Sequence, residues 1–155
     1  MKKIAIALFA TVLVIFMSGP AFAAAAGSCT SGLIYDAGKS NVKTYKFEWT
    51  SSSGGAVQEV GAIRVSGIVL GVEFVAGAGS FLPTDLYDVT LLNEQGADIL
   101  NGAGADVPVA GSAQARFRTP RNVDKGSIIL REHVITPAIS AAGNAKTGVI
   151  YLYVW

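Results

Sequence analysis

The chain has 155 residues, of which 51% are hydrophobic and 15% charged, so it is too apolar to be a disordered segment and long enough to bury one core. Twelve Lys and Arg stand against 11 Asp and Glu, a formal charge of +1, which lacks the strong positive field that gripping nucleic-acid phosphate requires. With one His (His133) and one Cys (Cys29), the chain runs out of His and Cys donors for a zinc site and leaves a catalytic triad a single imidazole to use.

Met1-Lys2-Lys3 is a basic head, Ile4 to Met17 is apolar, Ser18-Gly19-Pro20 breaks the run, and Ala21-Phe22-Ala23 offers small residues where a signal peptidase reads. Residues 1–23 therefore read as a signal peptide cut after Ala23, with Ala24 to Ala26 as a nearby alternative. The apolar run is short for the competing reading, a retained anchor, and no integral membrane span is expected after cleavage. The expected destination is extracellular or the cell surface, with the periplasm as an alternative. Residues 24–34, rich in Ala, Gly and Ser, read as a flexible N-terminal arm, and residues 35–155 as one domain. Cys29 follows Ala26-Gly27-Ser28, part of a lipoprotein box, so lipidation, an intermolecular disulfide and a free thiol all stay open.

The remainder reads as strands. Thr44 to Trp49 alternates, with Tyr45, Phe47 and Trp49 on one face and Thr44, Lys46 and Glu48 on the other. Val57 to Val65 and Ile68 to Val75 follow, with bulges or tight packing expected at Gly61, Gly67 and Gly71, and with Ile68, Leu70, Val72 and Phe74 on a common face. Leu86 to Leu92 and Ala97 to Leu100 flank Asn93-Glu94-Gln95-Gly96, a hairpin turn, and Asp85 suits an Asx-type turn entering the first of them. Further strands are expected at Gln114 to Arg118, Ser127 to Val134 and Thr147 to Val154. Gly and β-branched residues interrupt every helical period after the leader, so the prediction is all-β: a single antiparallel two-sheet sandwich, or jelly roll.

Pro83 to Leu91 (PTDLYDVTL), Gly96 to Leu100 (GADIL), Gly102 to Ala105 and the closing Asn144 to Tyr153 (NAKTGVIYLY) carry a pattern that resembles small virion structural proteins of tailed bacteriophages. The resemblance implies a non-enzymatic structural β protein and transfers no functional residues. The export signal sets this chain apart from virion parts, which assemble in the cytoplasm.

The candidate chemistry is sparse. Arg116, Arg118, Arg121 and Lys125 form the basic cluster, with Phe117 between the first two, and Arg116, Phe117, Arg118 and Arg121 are the candidate partner-binding residues for an acidic partner, a polysaccharide or a phosphate. A charged strand face that discourages edge pairing is the alternative. Asp85, Asp88, Asn93, Glu94, Asp98 and Asp106 offer oxygen ligands for Ca²⁺ without the spacing of a known loop, and turn carboxylates explain them as well. His133 reads as polar surface. Val149, Tyr151, Tyr153 and Trp155 alternate as at the end of an outer-membrane barrel, but Ile150, Leu152 and Val154 make the other face apolar too, which points to a strand inside a protein. The N-terminal arm is similar to the donor strand of polymerising pilins. The expected function is an exported structural or assembly subunit forming a homo-oligomer or polymer; the alternative is a secreted carbohydrate- or ligand-binding module.

Overall fold

Alternating apolar residues separate the two sides of each strand, and pairing those strands produces one continuous antiparallel sheet. The computed structural model describes residues 26–35, 41–58, 60–109, 115–119 and 127–155. The strands are β1 (Ser28–Tyr35), β2 (Lys43–Thr50), β3 (Ile63–Ala76), β4 (Asp88–Leu92), β5 (Ala115–Arg118), β6 (Ile129–Ser140) and β7 (Thr147–Val154). They hydrogen-bond in the order β1-β2-β7-β3-β6-β4, and β5 pairs with β3 beyond the stretch that β6 occupies. A single 3-10 turn at Gly79–Phe81 is the only helical element among the described residues, where no helix is long and apolar enough to cross a membrane.

The sheet curls. Trp49 on β2 and Tyr87 just before β4 come from distant parts of the strand order, yet their rings lie 5.6 Å apart, and Val57 bridges to Ile139 on β6. The concave side holds the core: Tyr45, Phe47 and Trp49 from β2, Val72 and Phe74 from β3, Val89 and Leu91 from β4, and Ile150, Leu152 and Val154 from β7 are all buried. The all-β expectation is met. The ladders, however, form one path rather than two separate sheets.

Two register shifts mark the long strand. Of the run read as a strand at 57–65 only residues 63–65 enter β3, where they continue into 68–75. The ladder to β7 shifts between Val69 and Gly71 with the extra residue in β3, as a bulge at Gly71 predicts, whereas the ladder to β6 shifts between Val65 and Gly67 with the extra residue in β6, between Leu130 and His133, so Gly67 itself is not a bulge. The second shift inverts the faces upstream of it: Val69 is buried, while Leu70, expected to face the core beside Val72 and Phe74, is 41% exposed. An extra residue in one strand exchanges inside for outside, because side chains alternate with a period of two.

The boundaries differ elsewhere. Ser28 to Tyr35, placed largely in the arm by the sequence, is a strand paired with β2 over its full length. β6 runs on past Val134, changing partner from β3 at Ile135 to β4 at Thr136. Residues 97–100 give only one bridge, Leu92 to Asp98, after the expected turn, which is closed by the Gly96 and Asn93 amides bonding to Asn93 and Ala97 carbonyls. Residues 1–23, with the signal peptide and its cleavage site, lie outside the described residues.

Candidate functional site

The motif of Pro83 to Ala105 builds a loop whose polar groups hold one another. The Val109 amide donates to Asp85 Oδ1 at 2.7 Å and the Asp106 amide to Asp88 Oδ1 at 2.9 Å. Asp98 accepts three amides: Leu91 and Leu100 on Oδ1, at 3.1 and 3.0 Å, and Gly102 on Oδ2 at 3.0 Å. Backbone bonds from Val89 to Gly104, Val107 to Tyr87 and Ile99 to Leu91 complete the fold of the segment. Gly104 packs so closely that a Cβ there would collide with the Val89 carbonyl. Asp85 thus reaches across the loop to Val109 rather than closing a local Asx turn. Among the described residues no three His, Cys, Asp or Glu side chains are grouped to hold a metal ion.

Arg118 joins the same unit. Its Nη1 donates to the Ala103 and Ala105 carbonyls at 2.9 and 2.8 Å, and its Nη2 to that of Asp106 at 3.3 Å. The planar guanidinium fork suits this multiple engagement, which a lysine could not reproduce. β5 sets Arg116 and Phe117 opposite Phe74 and Glu73 of β3. Arg121 and Lys125 lie outside the described residues.

Cys29 faces the core from β1, opposite Trp49, and is half-buried beneath Gly61. Burial, helped by the charge of Glu48, pushes its thiol up to about 11, so at neutral pH it is a protonated, slow nucleophile. His133 pairs through Nδ1 with Glu94 Oε2 at 2.8 Å, tying the Asn93–Gly96 turn to β6. The hydrogen bond from the Glu94 backbone first, and then that from His133, stabilise the carboxylate and lower Glu94 from its ordinary value.

The convex face is organised differently. Strand register lays its residues in rows: Ser28–Thr50–Thr147, then Thr30–Glu48–Val149–Val75, then Lys46–Tyr151–Glu73. The first two rows line a shallow groove of about 440 Å³, to which Trp49 and Gly148, whose core-side faces point away from it, also contribute. Trp49 is buried, and its indole N–H has no hydrogen-bond partner among the described residues. Lys46 Nζ and Glu48 Oε1 pair at 2.5 Å beside the groove, and the Tyr153 hydroxyl donates to Glu73 Oε2 at 2.5 Å one step further along. Burial and that hydrogen bond push Tyr153 up to about 12.

At the other end of this face, Trp155 exchanges both backbone hydrogen bonds with Ile68, and Ile68 pairs with Ile129. Trp155 and Ile129 are 60% and 58% exposed, and Leu70 projects beside them. Sequence reading found the alternation of β2 and β7 but not this arrangement, because adjacency across strands depends on register and on the bulge at Val69/Gly71. A second groove, of about 410 Å³, lies between Asn93–Asn101 and Ser127–Ile129, and the carboxylate in it, Asp98, is already engaged by three amides. Comparison of the chain with protein-family models, curated proteins and solved structures returns no match.

Proposed function

We propose that this chain is an exported, non-enzymatic structural subunit that joins copies of itself through its sheet surface, at a cell surface, in an extracellular filament or on a virion-like particle. The observation that carries the reading is the apolar row Trp155–Ile68–Ile129, with Leu70 beside it, running across β7, β3 and β6 on the solvent side. Contiguous apolar surface of this kind is generally covered by a partner. The residues of Pro83 to Ala105 that carry the virion-protein resemblance serve loop architecture, which fits a structural role, and the carboxylates a hydrolase would need there are held by backbone amides. The basic head, apolar run and Ala21-Phe22-Ala23 of residues 1–23 support export. The approach of Trp49 to Tyr87 supports a sandwich-like closure of the curled sheet.

Light scattering after size exclusion tests the assembly. The full chain, expressed in an exporting host, is expected to run as a defined oligomer or polymer, and Ile129→Lys is expected to release monomers. A wild-type monomer at every concentration contradicts the proposal.

A further inference from the structure

We propose that the groove on the convex face, between β1, β2, β7 and β3, binds a neutral saccharide, an activity separate from the assembly argued above. Its volume of about 440 Å³ falls within the range of about 300–1,000 Å³ found for small-molecule sites. The hydroxyls of Ser28, Thr30, Thr50 and Thr147 border it, and none of them hydrogen-bonds to a described residue. Each hydroxyl offers one donor and two acceptor positions, the same repertoire as the hydroxyls of a sugar ring. Glu48 adds a carboxylate with acceptor positions for the hydroxyls of a sugar, and Tyr151, one step along the same face of β7, stands beside the groove.

Charge selects among polar ligands. Among the described residues that line the groove there is no Lys or Arg to meet a phosphate or an acidic polysaccharide, and Glu48, the carboxylate among them, is paired with Lys46 beside it. A neutral polyhydroxylated ligand matches what is left. The positions are also built into the sheet: β2 and β7, which carry Thr50, Glu48, Thr147 and Val149, are each paired on both sides, and Ser28 and Thr30 stand on β1, paired to β2 over its full length.

The chain contains two tryptophans, Trp49 and Trp155, and Trp49, a residue of the groove wall, turns its ring into the core on the other side of β2. The full chain from an exporting host, as Trp155→Phe, therefore carries a single fluorescent reporter, on the core side of β2 directly behind the site. It is titrated with cellohexaose, maltohexaose and chitohexaose, with oligogalacturonate as an anionic control, and wild type is run in parallel by calorimetry. The expected result is a saturable response to at least one neutral oligosaccharide and none to oligogalacturonate. Replacing Thr50 and Thr147 by Val is expected to weaken binding about tenfold through two lost hydrogen bonds, and Glu48→Gln to weaken it as well. No saturable response to any neutral oligosaccharide in either protein, binding of oligogalacturonate alone, or an affinity unchanged by Thr50→Val with Thr147→Val each overturns the proposal. Calorimetry on wild type leaves Trp155 and the rest of the assembly row intact, so the saccharide site and the assembly stand or fall separately.

Discussion

The loop from Asp85 to Val109 and the convex face of β1, β2 and β7 are both rich in polar groups, but only the loop uses them up internally. In the loop, three carboxylates and one guanidinium hold five amides and three carbonyls, so the groups that look most like chemistry in the sequence serve to fold a segment with little regular structure of its own. On the convex face the ladders occupy the backbone of β2 and β7 on both sides, and the hydroxyls of Ser28, Thr30, Thr50 and Thr147 bond to no described residue. The difference teaches that a dense polar motif is weak evidence of a site until its hydrogen bonds have been followed to their ends.

The contrast breaks most sharply at Asp98. Asp98→Ala orphans three amides, and the expected loss is about 3 kcal/mol in urea unfolding, against about 1 kcal/mol for Asp85→Ala, which orphans one. Losses of equal, small size at both positions would mean that the loop is held by its backbone bonds alone.

Alkaline titration gives the next effect. Tyr87, in the core, is pushed up to about 12 chiefly by burial, and Cys29 and Tyr153 are raised to about 11 and about 12. Each folded-state value lies above the ordinary 9.0 for Cys or 10.0 for Tyr, so the folded protein holds these protons more tightly than the unfolded chain. Their stabilisation is complete below about pH 9 and is lost as pH rises through 11 to 12, on the order of 2 kcal/mol from Tyr87 alone. Thermal unfolding followed from pH 7 to 12 checks this; a melting temperature that stays flat to pH 12 would contradict it.

The smallest effect belongs to the convex face. Thr50→Val with Thr147→Val keeps β-branched side chains in place and removes no hydrogen bond to a described residue, so the unfolding free energy is expected to stay within about 0.5 kcal/mol of wild type. A large loss would show that those hydroxyls are structural after all.

Much of the sheet was legible in the sequence. Strand β7 coincides with the expected Thr147 to Val154, and β2 extends the expected Thr44 to Trp49 by one residue at each end, because strict alternation survives any choice of partner. β1 escaped notice because its sequence, SCTSGLIY, is mostly small and polar and owes its strand to pairing with β2. The second half of β6 was missed at Pro137, which brings no amide to a ladder and sits just beyond the change of partner from β3 to β4. Leu70 was misplaced by a bulge that the glycines announced but whose effect on the faces they did not. The groove was not legible, since Ser28, Thr50 and Thr147 lie far apart in the chain and meet only through register.

Amide hydrogen exchange in the native protein tests the contrast most directly. The amides of Leu91, Leu100, Gly102, Asp106 and Val109 are bonded to Asp98, Asp88 and Asp85 and are expected to exchange as slowly as amides of β2 and β7. Exchange of the Leu100, Gly102, Asp106 and Val109 amides at the rate of an unstructured peptide would contradict the account, for the loop would then be mobile and its carboxylates free to serve as a site.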